Sequence, residues 1–344
     1  MKLNRILTKA LREPPTREET LQLLRKVQGY DKLLKLVETA SRVRDDEAGQ
    51  AFKFDGFIWP VTSCTTSPPC RYCGRSAGLW GLDNPLTLDE IEVAGRFMNE
   101  VGLKRIGLGG GTIWAGAGKY ITEAIRRVKL VAPFDAWVNV GPSLNRADLA
   151  KLKELGVSAV GSSIETINPE VFKEAKPGDS LEARIRLVEE IMRMDLGFFS
   201  IIMVGIGSSY EDYVEHIFWL KRFKNLTLLT VSGFNPILGT PFENRPPVNP
   251  LEVAKVVAVA RLVLRTYDIS FGGVMIDWRL LPFMIMAGAN RTFHLGCHVH
   301  KVGSGYQQHL PKVIPVERNG NLEFVNMLPL TIDIVKKLEM EADV

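Results

Sequence analysis

Only four cysteines occur in these 344 residues, too few and too unevenly spread for a disulfide framework. Three of them, Cys64, Cys70 and Cys73, share one short loop. Thiols kept free in such a group imply a reducing compartment, by default the cytoplasm. An excess of either charge is also lacking, since 43 basic and 39 acidic side chains leave a net +4. With no long like-charged run, neither nucleic acid nor a membrane is indicated as a partner. No uninterrupted apolar stretch approaches the ~20 residues of a membrane span. The opening segment, Met1 to Arg12, is basic and partly apolar, but its apolar run is broken and Pro14-Pro15 follows at once, which argues against a signal peptide. No break in composition forces a second core, so one large α/β unit is expected.

From Phe57 onward, short apolar runs alternate with amphipathic segments, the pattern of repeated βα units around a parallel sheet. Strands are expected near 57–63, 105–109, 135–140, 157–162, 198–204 and 227–232, with a weaker one near 273–276. Helices are expected over Leu88–Val101, Tyr120–Val131, Arg146–Leu155, Leu181–Met194, Tyr210–Phe223 and Leu251–Tyr267. Six firm units and a remainder favour a complete or near-complete (β/α)8 barrel of TIM type, whose site would lie at the strand C-termini. Ahead of it, Thr16-Arg-Glu-Glu19 reads as a capping box before Leu21, Leu23 and Leu24, and a second helix spans about Asp31 to Arg44, suited to packing on the barrel or plugging its base. Residues 1–50 are therefore expected to be a helical extension and 51–344 the barrel with its C-terminal segment.

The most informative stretch is Cys64-Thr-Thr-Ser-Pro-Pro-Cys70-Arg-Tyr72-Cys73. Three thiolates from one bent loop behind an apolar strand suit a metal that takes soft ligands. A structural zinc or a closed iron–sulfur site recruits four protein donors, so three leave one metal position open. A competing reading takes Cys297 as the fourth ligand of a non-catalytic Fe–S or zinc protein. Gly109-Gly110-Gly111-Thr112 follows the second strand, where glycines let backbone approach a ligand. Ser162-Ser163-Ile164-Glu165 closes the fourth; its carboxylate suits an amino or hydroxyl group, or a helix cap that Asn168 already supplies. Gly205 and Ile206 end the fifth with an apolar surface, and Asp277 and Arg279 fit either an anionic substrate or an ion pair. His294, Cys297, His298, His300 and His309 crowd the tail at no standard zinc spacing. Packing, or substrate contact by Cys297 and His298, is expected there rather than a second metal, with a loop over 303–308 near the mouth.

Five residues in the first gap of the cysteine loop, two in the second and a Tyr before the last Cys make a pattern that resembles the radical S-adenosylmethionine (SAM) superfamily. The usual first gap has three residues. The widened one, carrying Ser67-Pro68-Pro69, looks like the HcgA (HmdB) family, which acts in biosynthesis of the Fe-guanylylpyridinol cofactor of [Fe]-hydrogenase. Glu165, the Lys176–Arg184 segment, Asn235-Pro-Ile-Leu-Gly-Thr-Pro241, Val259-Ala-Arg261 and Ala287-Gly-Ala-Asn290 are similar to biotin synthase and the maturase HydE, so that the likeness runs over about residues 55–292.

The resemblance implies a [4Fe–4S] cluster on Cys64, Cys70 and Cys73, with SAM on its open iron and reductive cleavage to a 5′-deoxyadenosyl radical. It implies SAM contacts from Tyr72, Gly109, Gly110, Gly111, Ser163 and Glu165, a carboxylate clamp from Arg184, and an adenine platform from Gly205 and Ile206. Thr112 stands where the family often has an acid. A small-molecule substrate, a flavodoxin- or ferredoxin-like reductant and a partner enzyme of the same pathway follow, and no catalytic side chain is assigned. With one cysteine outside the loop, a second cluster for sulfur insertion has no ligands. The same-class alternatives are a methylornithine-synthase-type mutase or a HydE-type maturase, whose first gap is expected to hold three residues.

Overall fold

The computed structural model describes residues 2–272, 278–304, 314 and 316–344. Three helices, α1 (Lys2–Ala10), α2 (Arg17–Lys26) and α3 (Tyr30–Glu47), lead into β1 (Ala51–Ile58). The chain continues through α4 (Leu88–Glu100), β2 (Arg105–Gly109), α5 (Gly118–Val131), β3 (Asp135–Asn139), α6 (Arg146–Glu154) and β4 (Val157–Gly161). Then come α7 (Pro169–Ala175), α8 (Leu181–Arg193), β5 (Gly197–Val204), α9 (Tyr210–Leu220), β6 (Leu226–Gly233), α10 (Pro250–Leu264), β7 (Asp268–Phe271), α11 (Leu281–Met286) and β8 (Arg291–Lys301). Each strand pairs in parallel with its sequence neighbour, and β8 pairs back onto β1. These eight strands close a (β/α)8 barrel. Beyond them, β9 (Val316–Asn319) and β10 (Leu322–Asn326) form an antiparallel hairpin on β8, and α12 (Leu328–Lys337) leads to β11 (Glu341–Asp343), which pairs beside the start of β1.

Local chemistry starts the helices where the pattern places them. Reciprocal capping boxes join Thr16 with Glu19, Thr87 with Glu90, Asn145 with Asp148 and Ser209 with Asp212, each satisfying backbone donors that a helix N-terminus leaves free. Asn168 and Asn249 cap α7 and α10 with a proline just inside the helix. The leading helices do not plug the barrel. Instead α3 packs along α10 and α11, and α2 against α9 and α10, all within the apolar layer between strands and helices.

Inside the barrel sits a separate cluster of Phe57, Trp137, Ala159, Phe199, Leu228 and Phe293. Its rings meet at 4.9–5.8 Å. Room for them comes from Gly107 and Gly161, where a Cβ would overlap the rings of Trp137 and Phe199. Toward the strand N-termini, buried Asp55 accepts from Trp137 Nε1 (2.7 Å) and Arg291 Nη2 (2.8 Å), and Asp268 accepts from Arg291 (3.2 Å), Lys53 (2.9 Å) and Asn290 (2.8 Å). That end is closed by ions that neutralise one another.

Three sequence expectations need correction. The first strand is Ala51–Ile58, not 57–63, because Pro60 has no N–H for the ladder and the chain turns there. The seventh is Asp268–Phe271, ahead of 273–276, which lies outside the described residues. The histidine-rich tail is the eighth strand itself, Arg291–Lys301, whose polar side chains hide the strand signal.

Arg261 of α10 is fully buried and donates to the carbonyls of Gly288 (2.8 Å) and Tyr267 (2.7 Å) and to Asn290 Oδ1 (2.8 Å), with a further bond to Arg265 O. Burial pulls its pKa down to about 9, yet these acceptors hold the turn from α10 into β7 and β8. Replacing it with Met strands several buried carbonyls at ~1–3 kcal/mol each. Urea unfolding of Arg261→Met should show the unfolding free energy lowered by at least ~3 kcal/mol, seen as a lower midpoint at unchanged slope.

Candidate active site

The cysteine loop lies directly on the end of β2. Gly111 N donates to Thr62 O (3.1 Å), Thr62 Oγ1 to Gly111 O (2.8 Å) and Thr65 N to Thr112 O (2.7 Å). This approach requires glycine, because a Cβ on Gly110 would stand 2.6 Å from Thr62 N and one on Gly111 2.6 Å from Cys64 Cα. The second half of the loop is pinned elsewhere, with Arg71 N on Ala175 O (2.8 Å) and Phe242 N on Arg71 O (3.2 Å). All three thiols then face one cavity of about 230 Å³ at the barrel mouth.

Burial pushes the Cys70 thiol up to about 11, and burial together with the neighbouring Cys70 sulfur pushes the Cys73 thiol higher still. Three thiols on a single zinc would stand about 3.8 Å apart at a Zn–S distance of ~2.3 Å. No three His, Cys, Asp or Glu among the described residues are close enough to hold one metal ion. The donor set therefore fits a cluster that spreads its ligands over several irons. The reading with Cys297 as fourth ligand fails, because that thiol sits in the outer apolar layer and donates to Asn326 Oδ1 at 3.3 Å.

Opposite the cysteines the cavity wall is charged and dry. Glu165, just past β4, has φ 65°, a conformation costly for any residue but glycine. It is pinned by Glu165 N to Ile201 O (2.8 Å) and Met203 N to Glu165 O (2.9 Å). Lys176, 2% exposed, pairs with Glu165 and Asp179 (3.5 Å) and donates to Ser163 O (3.2 Å). Arg184 grips Asp179 through Nε (3.1 Å) and Nη2 (2.6 Å), reaching Ser163 O at 2.9 Å with Nη1. Burial would raise the Asp179 pKa, but the Lys176 and Arg184 charges outweigh it and hold the carboxyl well below its usual range. Two cations and two anions thus cancel. An exposed pair gains little, whereas a desolvated set must be complete to be tolerated.

The expected site residues divide. Cys64, Cys70, Tyr72, Cys73, Gly110, Gly111, Ser163, Glu165 and Arg184 all line this cavity. Gly109 does not; it leaves space for Phe57 and Trp59. The apolar wall on β5 is Ile201 and Met203, in place of Gly205 and Ile206. Ile206 is buried with Ala175, Phe234 and Phe242 in a cluster against which Tyr72 and Met203 of the cavity wall pack. Cys297 faces outward because strand residues alternate, while neighbouring His298 faces the lumen, its ring 6.4 Å from that of Phe57. Arg279 is exposed in a single turn at Trp278–Leu280. Asp277, His309 and the loop from 305 lie outside the described residues. Sequence reasoning missed Lys176 and Asp179; only their nearness to Arg184 pointed to them.

A barrel whose mouth gathers three free thiols around a neutralised polar wall defines an iron–sulfur enzyme of TIM-barrel type. The sequence matches the Radical SAM superfamily over residues 60–220 and the Biotin and Thiamin Synthesis associated domain over 230–308. It is 32% identical to an uncharacterized protein of Methanocaldococcus jannaschii over 94% of this chain and 84% of that one. With the biotin synthase of Carboxydothermus hydrogenoformans it shares 25% identity over 79% of this chain and 85% of that protein. Among solved structures, methylornithine synthase superposes with TM-score 0.79 at 19% identity, covering 100% of this chain and 98% of that one. The [FeFe]-hydrogenase maturase HydG of C. hydrogenoformans gives 0.79 at 18%, covering 98% and 78%. The chain belongs to the radical SAM superfamily, within its biotin-synthase-like branch, and is an enzyme that uses a [4Fe–4S] cluster and SAM.

Gly111→Ala tests the seating of the loop. The added methyl must push Cys64 off β2, so iron bound after anaerobic reconstitution should fall well below the about four per chain of one cluster, with the circular dichroism spectrum unchanged.

Proposed function

We propose that this enzyme acts in biosynthesis of the pyridinol of the Fe-guanylylpyridinol cofactor of [Fe]-hydrogenase, on a small-molecule substrate. The observation that carries the reading is the widened first gap of the cysteine loop. Its added residues have a seat of their own: a Cβ on Gly178 would overlap Pro68 O and stand 2.6 Å from Ser67 N. The wide loop is thus packed on the segment that carries Lys176 and Asp179. That seat supports this reading over the methylornithine-synthase-type and HydE-type ones, whose first gap is expected to hold three residues.

In this reading Cys64, Cys70 and Cys73 hold the cluster, and Tyr72, Gly110, Gly111, Ser163, Glu165 and Arg184 hold SAM. When bound, the two together supply a 5′-deoxyadenosyl radical that removes hydrogen from the substrate. The chain's own work is positional. Glu165 offers a carboxylate to amino or hydroxyl groups, Arg184 offers donors to a carboxylate, and Lys176 pairs with Glu165 and Asp179 and helps keep Asp179 ionised. Trp59, Leu82 and Ile237 wall the cavity against water. The electron comes from a flavodoxin- or ferredoxin-like protein, in a reducing cytoplasm that keeps the thiols free, and a partner enzyme of the pathway takes up the product. No helix among the described residues is long and apolar enough to cross a membrane.

Removing a charged donor to a carboxylate costs about 1.5–3 kcal/mol, or roughly ten- to a hundred-fold in affinity. Equilibrium dialysis should therefore find SAM binding weakened to that extent in Arg184→Ala, and similarly in Lys176→Met, which leaves Glu165 and Asp179 without their shared cation. Parent-like affinity in Arg184→Ala would remove that residue from the SAM site.

The pathway itself is tested by deletion of the gene in an organism that makes the cofactor. Loss of Fe-guanylylpyridinol with biotin synthesis intact supports the reading. An unchanged cofactor level, or a biotin requirement, overturns it.

A further inference from the structure

Above its aromatic layer the barrel lumen changes character around its wall. It is apolar at two facing places, beside β1, where Trp59 stacks on Phe57 at 5.8 Å, and on β5, where Ile201 faces the cavity. Between them, on β6 to β8, it is polar. Thr230 of β6 and Ser270 of β7 are register partners, both buried. Strand β8 then leaves its ladder. Phe54 pairs with Thr292 but Gly56 pairs with Cys297, so β8 carries three residues more than β1 between these points and throws them out as a bulge.

The bulge aims two rings inward. Phe293 and His294 lie 4.1 Å apart, His294 is 5.3 Å from Phe57, and the His298 ring stands 6.0 Å from His294, with its Nε2 on the His294 carbonyl. Gly296 makes the excursion possible, since a Cβ there would overlap the Asp55 carbonyl. His294 reaches across to the end of β7, where a Cβ on Gly272 would come within 3.3 Å of its ring.

Among the described residues of this sector, Thr230 Oγ1 and His294 Nδ1 have no hydrogen-bond partner. Thr230 is 1% exposed. Native proteins rarely bury such atoms unpaired, and Val at 230 would fill the same space without the cost. Among the described residues charge is absent from this sector as well. Asp55, Asp268 and Arg291 lie on the far side of the aromatic layer and satisfy one another, while burial holds His294 well below its ordinary pKa and so neutral. A charged ligand group would find no counter-ion among these residues; an uncharged one would find a hydroxyl and an imidazole.

We propose that Thr230 and His294 are the recognition pair for an uncharged ring on the substrate. The ring would present an adjacent hydrogen-bond donor and acceptor, as a cyclic amide or a hydroxypyridine does, with its face on Trp59. The hydroxypyridine form of this inference rests on the proposed pathway. The two fail separately, because the deletion experiment reads the pathway in cells and the following experiment reads the site in the purified protein.

The probe is 2-hydroxypyridine, titrated calorimetrically into the cluster-loaded enzyme with SAM present, beside benzoate and toluene as a charged and a purely apolar ring. The parent should bind 2-hydroxypyridine in preference to both. Thr230→Val, which keeps shape and removes only the hydroxyl, and His294→Phe should each weaken that binding at least tenfold with SAM affinity unchanged, and His294→Gln should recover part of it. Should His294→Phe unfold by circular dichroism, Thr230→Val carries the test. Parent-like binding in Thr230→Val, equal binding of benzoate or toluene, or no binding of 2-hydroxypyridine to the parent overturns the proposal.

Discussion

The site depends on how closely two stretches of backbone approach. The loop of Cys64, Cys70 and Cys73 has no secondary structure of its own to hold three thiols in place, and takes its shape from the end of β2. There Gly111 and Thr112 exchange hydrogen bonds with Thr62 and Thr65, and Gly110 lies bare against Thr62. The glycines that resemble a ligand cradle in sequence do that and something else. They are bare because the loop lies on them, so the strand that shapes the cavity also seats the cysteines.

Desolvation is the second constraint, and it explains why the polar wall is so fully paired. Lys176, Glu165, Asp179 and Arg184 share one dry region, and each would be costly to bury alone. As a set they are neutral, and every charge faces an opposite one. The same arrangement spends donors: the Nε–Nη2 edge of Arg184 is already on Asp179 and its Nη1 on Ser163 O. The strained backbone at Glu165 is held by β5 on both sides, so the carboxylate is aimed before any ligand arrives.

Filling the lumen is the third. Glycines on β2 and β4 admit large rings from β3 and β5, and the bulge in β8 adds Phe293 and His294 from the opposite side. A floor of interlocked aromatics separates the paired ions at the closed end from the cavity at the mouth. Chemistry is confined above it.

Much of this barrel was legible in the residue order. Capping boxes, helical periodicity and apolar runs depend on neighbours within a few positions, and they placed α4 to α6, β2 to β6 and the cysteine loop close to where they stand. The cysteine spacing likewise pointed to a cluster, because ligand number and type are written in the chain. Where the signal required partners far away, sequence was silent or misleading. The Cys297 segment read as a tail suited to packing or substrate contact, since alternation alone does not say which face of a strand looks inward until the barrel closes. Lys176 and Asp179 carried no mark of their own; burial beside Glu165 and Arg184 makes them part of the site. The sequence by itself determined the βα repeat and the three thiols of one loop, both local properties. Only the tertiary structure decided which side chains share the cavity, because that follows from strand register and the desolvation of charges brought together from distant parts of the chain.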